Sequence, residues 1–220
     1  MPALKIFFLK NKESVINSIV IVVCLVLSVF FPTQNAVQNL LKDLFFLFVI
    51  PILYIKLVLK KNIADFGLNI QNKKVGIFWA GMMLLMSLAI AFIAIQYSDF
   101  PKVYRLSSLV VSNFWFFLLD MLVFLNIMLF LQEFFFHGFV MLPFMKKMKV
   151  WTIFIQFILF FVFLLLIGGD FQKKLWMILP FLILSLTGGI TAYKSKSVIY
   201  SYASGLLFLI IINAYLIKIT

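Results

Sequence analysis

The stretch that decides the fold runs from residue 107 to residue 145 and reads SSLVVSNFWFFLLDMLVFLNIMLFLQEFFFHGFVMLPFM. It contains no Lys or Arg, and its ionisable side chains are those of Asp120, Glu133 and His137. An apolar run of about 20 residues spans a bilayer as a helix, because lipid offers no hydrogen-bond partners to an open backbone. This stretch is too long for one such helix. We therefore predict a span over 107–131, followed by a segment that bends, re-enters the membrane or lies at its interface.

The rest of the chain has the same apolar character. Of its 220 residues, 65% are hydrophobic, 18% are aromatic and 12% are charged, with a net charge of +12. Soluble domains carry about 25% charged residues, so this composition excludes a cytosolic enzyme, a secreted domain and a nucleic-acid-binding protein. It predicts an all-α, polytopic transmembrane helix bundle. We expect residues 1–220 to form a single integral membrane domain in the cell (plasma) membrane of a bacterium.

Cysteine and histidine are too few for common structural or metal sites. The chain has one cysteine, Cys24, and one histidine, His137. They permit neither an internal disulfide nor a multi-histidine metal site. We expect no metal and no cofactor.

Seven apolar segments follow one another along the chain. The predicted spans cover residues 14–32, 44–59, 75–97, 107–131, 149–168, 174–193 and 198–217. The first follows three lysines and resembles a signal peptide, but it ends in Phe-Phe-Pro without a small-residue cleavage site, so we interpret it as a retained helix. With seven spans, 13 of the 19 positive charges fall on the side of the N-terminus and six on the other. Because cytoplasmic loops carry the excess of Lys and Arg, the N-terminus is predicted to be cytoplasmic.

The polar residues of the fourth span fall on two faces. An ionisable group inside a membrane costs about 2.5–3.5 kcal/mol or more, so such residues usually face the protein interior. On a helix, Asn126, Glu133 and His137 lie within about 40° of one another. Asn113 and Asp120 form a second stripe roughly 140° from Glu133. For Asp120, a hydrogen bond to a neighbouring helix and a functional role both stay open.

Glu133 and His137 are four residues apart, which places a carboxyl group beside an imidazole. The pair is either a general acid/base dyad or a polar clamp between helices, and the spacing leaves both open. Other polar residues in the later spans are predicted to serve packing: Ser185, Thr187, Ser201, Tyr202, Ser204 and Asn213. The pairs Gly168-Gly169 and Gly188-Gly189 are interpreted as span ends.

The residues around Glu133 resemble a known motif. Residues 132–143 read QEFFFHGFVMLP. This stretch is similar to the first motif of the CAAX-protease and bacteriocin-processing (CPBP, Abi) family of intramembrane glutamate proteases, whose usual form is Glu-Glu-x-x-Phe-Arg-Gly-Phe-Leu. Phe136, Gly138 and Phe139 match it. The resemblance implies a membrane helix bundle whose fourth helix carries the site of peptide hydrolysis.

The same resemblance implies that most of the catalytic groups are missing. The glutamate that activates water corresponds to Gln132, whose amide takes no proton near neutral pH. The motif's arginine corresponds to His137. The family's two later histidines correspond to Leu165, four residues after Phe161, and to Leu209 or Gly205, while its asparagine corresponds to Asn213. The chain is thus expected to be a degenerate, non-catalytic member of the family, a pseudoprotease.

Three functions are compatible with these residues. The first is an immunity- or regulator-like protein that binds or scaffolds a peptide or partner membrane protein in a cavity lined by Asn126, Gln132, Glu133, His137 and Asn213. The second is an active intramembrane peptidase that uses Glu133 as base and His137 as its partner. The third is a small permease or the substrate-binding subunit of a transporter, since such proteins also place charges near the membrane midplane. In each case the surroundings are the lipid bilayer, and no nucleic acid is expected.

Overall fold

The computed structural model describes residues 12–98, 100–104, 106–167 and 171–219, with the backbone alone at 12, 102, 103 and 171–177. These residues form seven long helices, and no strand is found within these ranges. The helices are α1 (Lys12–Phe30), α2 (36–58), α3 (Lys73–Tyr97), α4 (Phe114–Met148), α5 (Trp151–Ile167), α6 (Phe171–Ser195) and α7 (Ile199–Ile219). Short helices lie at Ile63–Phe66, Phe100–Val103 and Ser108–Ser112. The predicted all-α class is confirmed.

Five of these helices contain a segment that is long and apolar enough to cross a membrane. The segments are Glu13–Phe30, Lys73–Tyr97, Phe114–Met148, Ile178–Ser195 and Ile199–Ile219. Each overlaps a span predicted from the sequence, although the fourth span begins at residue 114 instead of 107 and ends at residue 148 instead of 131. The two other predicted spans correspond to α2 and to α5, an apolar helix of 17 residues.

The lysines gather at one end of the bundle. The residues exposed there are Lys60, Lys61, Lys73, Lys74, Lys146, Lys147, Lys149, Lys194 and Lys196. Two contacts show that these chain segments meet: Lys147 Nζ donates to Ser14 Oγ at 2.6 Å, and Val198 N donates to Gly67 O at 3.0 Å. We call this the basic end and the opposite end the far end. Successive long helices run alternately away from and towards the basic end.

Helix α4 corrects two expectations from the sequence. Beyond Leu131, where the sequence predicts a separate segment, the chain continues as helix to Met148. It adopts wide π-helical turns over Asp120–Leu125 and Glu133–Met141, and every residue of the second turn is buried. At the start of the helix, Asn113 is an exposed N-cap whose Oδ1 accepts from Trp115 N at 2.9 Å. Asn113 therefore shares no helical stripe with Asp120.

Aromatic side chains pack the interior around the second π-helical turn. Phe134, Phe135 and Phe136 are fully buried. The Phe136 ring lies edge-on to Phe160 of α5, with 5.0 Å between centroids and an interplanar angle of 87°. Such edge-to-face pairs contribute about 0.5–1.5 kcal/mol beyond their buried area. These contacts hold the second half of α4 against α5, inside the bundle.

A loop covers the basic end of the bundle. Residues 63–72, which we call the basic-end loop, lie against α4 and against the connection between α6 and α7. Ser197 Oγ donates to Asn69 O, and Asn72 Nδ2 donates to Ser195 O at 3.4 Å. Gly67 takes a φ of +89°, a left-handed conformation that suits glycine, and its carbonyl accepts the bond from Val198.

We predict that Gly67→Ala destabilises the protein. A Cβ at this position would lie 2.8 Å from Leu142 Cδ1 and 3.2 Å from the backbone N of Val198. The left-handed conformation alone costs a non-glycine residue about 1–2 kcal/mol. We expect a lower melting temperature in detergent, followed by tryptophan fluorescence.

Gly81→Ala is the matched control. Nothing lies within 4 Å of a Cβ at Gly81, and the residue sits inside α3. Alanine is better than glycine in a helix by up to about 1 kcal/mol, so this variant should be as stable as the wild type or more so. Equal melting temperatures for the two variants would contradict the role given to Gly67.

Candidate functional site

Glu133 and His137 form a contact between α4 and α6. Nδ1 of His137 lies 2.6 Å from Glu133 Oε2, as the four-residue spacing predicts. The second ring nitrogen, Nε2, lies 3.0 Å from the carbonyl oxygen of Ser185. A carbonyl oxygen only accepts, so Nε2 carries a hydrogen. The 2.6 Å contact then places one hydrogen between Nδ1 and the carboxyl oxygen.

Helix α7 supplies a third partner. Ser201 Oγ donates to the same Glu133 Oε2 at 2.5 Å and also lies 3.0 Å from Val198 O. Glu133, His137 and Ser201 are all buried. We call these three residues together with the Ser185 carbonyl the polar clamp. It joins α4, α6 and α7 through hydrogen bonds to one carboxyl oxygen and one imidazole.

Two glycines of α6 make room for the polar clamp. A Cβ at Gly188 would lie 2.7 Å from His137 Cε1, and one at Gly189 would lie 2.8 Å from Gln156 Oε1. The interpretation of Gly188-Gly189 as a span end is therefore wrong, because the pair lies inside α6 where α4 and α5 approach it. The pair Gly168-Gly169 lies outside the described residues.

Gln156 extends the polar contacts to α5. Its Nε2 donates to Ser185 Oγ at 2.8 Å, and the side chain is fully buried. Ser185, whose carbonyl oxygen accepts from His137, is thus also held by a side chain of α5. Within the described part of the chain, Gln156 Oε1 has no hydrogen-bond partner.

A cavity of about 380 Å³ lies beside the polar clamp. Its polar wall is formed by Gln132, Glu133, His137, Ser185 and Tyr104. The remaining lining is apolar: Leu125, Met128, Leu129, Phe136, Phe160, Leu164, Ile167, Ile178, Phe181, Leu184 and Leu209. Ligand pockets typically have about 300–1,000 Å³ and apolar walls with a few polar groups, and this cavity has both properties.

Two of the predicted site residues do not line this cavity. Asn126 accepts from the hydroxyl of Tyr202 and donates through Nδ2 to Leu122 O at 3.0 Å, and it lines a separate groove between α2, α4 and α7. Asn213 is buried on α7, where its Nδ2 lies 3.3 Å from Met121 Sδ. The structure thus brings together Gln132, Glu133 and His137 of the predicted set.

Asp120 lies at the start of the first π-helical turn and is partly exposed. Among the described residues its carboxyl group has no hydrogen-bond partner, so the expected bond to a neighbouring helix is not found there. Its role is not explained by the contacts of the described residues.

Sequence reasoning missed three contributors to the site. Ser185 and Ser201 were predicted to serve packing, and Gln156 was not singled out. Gln156 and Thr152 are the polar residues of the otherwise apolar helix Trp151–Ile167. An isolated amide in such a helix was the feature of the sequence that could have indicated the role of Gln156. The resemblance also singled out Phe161 and Leu165, but both are apolar residues that pack, partly buried, against the hydrophobic core.

Comparisons of the chain with family models, with curated proteins and with solved structures give no match. Function is therefore inferred from the geometry of the cavity and the polar clamp.

We predict that Gly188→Ala displaces the His137 ring, since a methyl group would overlap Cε1. Overpacking of this kind costs about 1–3 kcal/mol. His137 is the single histidine of the chain, so ¹⁵N labelling of histidine gives one imidazole whose shifts report its two hydrogen bonds. We expect changed imidazole shifts and a lower melting temperature. Gly205→Ala is the control, because a Cβ there meets the movable Leu129 side chain at 3.3 Å; an unchanged imidazole signal in Gly188→Ala would refute the assignment.

We predict that Ser201→Ala weakens the fold more than Ser204→Ala does. Ser201 donates to a carboxyl group, whereas Ser204 donates to the backbone carbonyl of Ala80 at 2.8 Å. Each variant loses a hydrogen bond of about 0.5–1.5 kcal/mol, but in Ser201→Ala the acceptor is a buried carboxyl oxygen, for which a missing partner costs about 1–3 kcal/mol. Melting temperatures and the His137 imidazole shifts measure the difference. The imidazole shifts should change in Ser201→Ala alone, and equal effects of both variants would argue against the polar clamp.

Proposed function

We propose that the chain is an integral protein of a bacterial cell membrane with seven spans and a cytoplasmic N-terminus. The seven long helices alternate in direction, and most of the exposed lysines that the structure describes lie at one end. By the positive-inside rule, the basic end faces the cytoplasm. Lys12 at the start of α1 then lies on the cytoplasmic side, and Lys218 near the end of α7 lies on the other.

We propose further that this protein binds a peptide or a partner membrane protein without cleaving it. The observation that carries the proposal is the polar clamp, in which both ring nitrogens of His137 are engaged. A general base must lie within hydrogen-bond reach of the proton that it takes from the reacting group. His137 has no free nitrogen for this purpose, and one oxygen of Glu133 is already in contact with both His137 and Ser201.

Gln132 is the group in the cavity that suits recognition. It lines the cavity next to Glu133, and within the described part of the chain its amide makes no side-chain hydrogen bond. A primary amide both donates and accepts, so it pairs with a peptide amide or with a polar side chain of a ligand. In an apolar cavity such a bond gains strength because water does not compete for it.

The proposed relationship to the CPBP family fits this arrangement. Four of the motif-like residues, Gln132, Glu133, Phe136 and His137, line the cavity. Gln132 stands where the family places the glutamate that activates water. A degenerate member keeps the binding cavity after the loss of that base. This relationship rests on the motif.

We predict that Gln132→Leu lowers the capture of the partner about tenfold, as expected for the loss of one hydrogen bond of about 1.4 kcal/mol. The measurement is the amount of partner that copurifies with the chain from its native membranes in mild detergent. Met128→Leu is the matched control, since it also lines the cavity but stays apolar. Equal capture by Gln132→Leu and wild type would contradict the proposal, and a bound metabolite in place of a protein would indicate a permease.

Cleavage of a membrane peptide separates binding from catalysis. We expect no cleavage by the wild type in proteoliposomes. Cleavage that Glu133→Gln abolishes would show an active peptidase and overturn the proposal. Cleavage that appears with Gln132→Glu would support both the family relationship and the loss of the base from the natural chain.

A further inference from the structure

The cavity is closed towards the basic end. The basic-end loop lies directly over α4, because a Cβ at Gly138 would be only 2.6 Å from Phe66 O. Val198, which donates to Gly67, is buried, as is Phe66. A ligand from the water on this side would have to displace a loop that is hydrogen-bonded to the connection between α6 and α7.

The cavity is also covered towards the far end. Tyr104 forms part of its wall and stacks on Phe100, with 5.3 Å between ring centroids and 18° between ring planes. The Tyr104 ring lies 6.0 Å from that of Phe181, another wall residue. Phe100 is buried. These three rings separate the cavity from the water at the far end.

The remaining side lies between α4 and α5. Leu125, Met128 and Gln132 of α4 line the cavity and are partly exposed, and Ile167 of α5 lines it while being 57% exposed. In this half α4 stands away from its neighbours: none of the residues Phe114–Leu119 is buried, in contrast to Glu133–Met141. The two helices are thus packed together near the basic end and separated near the far end.

We propose that the cavity opens sideways into the lipid between α4 and α5, and that its occupant is a transmembrane segment of a partner protein. This inference rests on the proposed binding function and names the class of ligand. The cavity is too small for a whole helix, whose diameter with side chains is about 10–12 Å. A helix lying along the gap inserts side chains into the cavity instead.

The Gln132 amide then selects among such segments. A transmembrane helix satisfies its own backbone, so the groups left for Gln132 are side-chain amides and hydroxyls. The favoured partner is an apolar segment with one Asn, Gln, Ser or Thr at the depth of Gln132.

Fluorescence quenching tests the sideways opening without any ligand. In a Cys24→Ala background of the full chain, Met128→Cys is labelled with bimane and reconstituted in vesicles. Two further labelled variants serve as references. Phe124→Cys, on the exposed part of α4, gives the maximal quenching by brominated lipid, and Lys60→Cys at the basic end gives the maximal quenching by aqueous iodide. We expect brominated lipid to quench the label at Met128→Cys several-fold more than iodide does. Stronger quenching by iodide, or none by either quencher, would overturn the opening; Leu125→Cys repeats the measurement if Met128→Cys does not fold.

A second experiment tests the occupant. The probes are a synthetic polyleucine transmembrane helix with one central Asn and the same helix with Leu, and binding is followed by energy transfer in vesicles. We expect the Asn helix to bind the wild type about tenfold more tightly than the Leu helix does, and Gln132→Leu to remove the difference. Equal binding of both helices, or binding of a short water-soluble peptide alone, would overturn the proposal that the occupant is a transmembrane segment with a polar side chain. The quenching experiment needs no ligand, so it tests the sideways opening even if the proposed binding function is wrong. Failure of the opening and failure of the binding function are therefore distinguishable.

Discussion

A carboxyl group buried among apolar helices is the constraint on which the rest of the site depends. Glu133 needs partners, because removal of one member of a buried charged pair typically costs about 3–5 kcal/mol. It finds one on the same helix, His137 one turn along, and one on another helix, Ser201 of α7. His137 in turn needs an acceptor for Nε2 and finds the carbonyl of Ser185. Satisfying one carboxyl group thus fixes the mutual positions of α4, α6 and α7.

The backbone adapts to this requirement at the places where the sequence has glycine. Gly188 lets α6 approach the imidazole ring, and Gly138 lets the basic-end loop lie on α4. The wide turn over Glu133–Met141 places nine consecutive residues inside the bundle. A carbonyl oxygen has two lone pairs, so Ser185 can accept from His137 without giving up a helical hydrogen bond. Space for the polar clamp is therefore created by missing side chains and helix geometry rather than by breaks in the helices.

The parts of this arrangement that are local in sequence could be predicted, and those that depend on other helices could not. Long apolar runs indicated the helices, and the four-residue spacing indicated the contact between Glu133 and His137. A backbone carbonyl leaves no trace in a sequence, so the Ser185 contact was invisible. Ser201 looked like any packing serine. Helix α4 continues beyond Leu131, where the length of the run had indicated a separate segment. The apolar pattern does not distinguish a buried helix from a membrane span.

The same contacts that allow a carboxyl group in this interior also limit its chemistry. A side chain that serves as acid or base must exchange its proton with a substrate, whereas both ring nitrogens of His137 are engaged by Glu133 and Ser185. Opening the polar clamp to release His137 would break both of its hydrogen bonds inside an apolar medium, at a cost of about 0.5–1.5 kcal/mol for each bond. Gln132 carries no such obligation, since its amide is neutral and lines the cavity beside Glu133. The contacts of α4 therefore favour the proposed assignment, in which the Gln132 amide serves recognition and the pair of Glu133 and His137 serves structure.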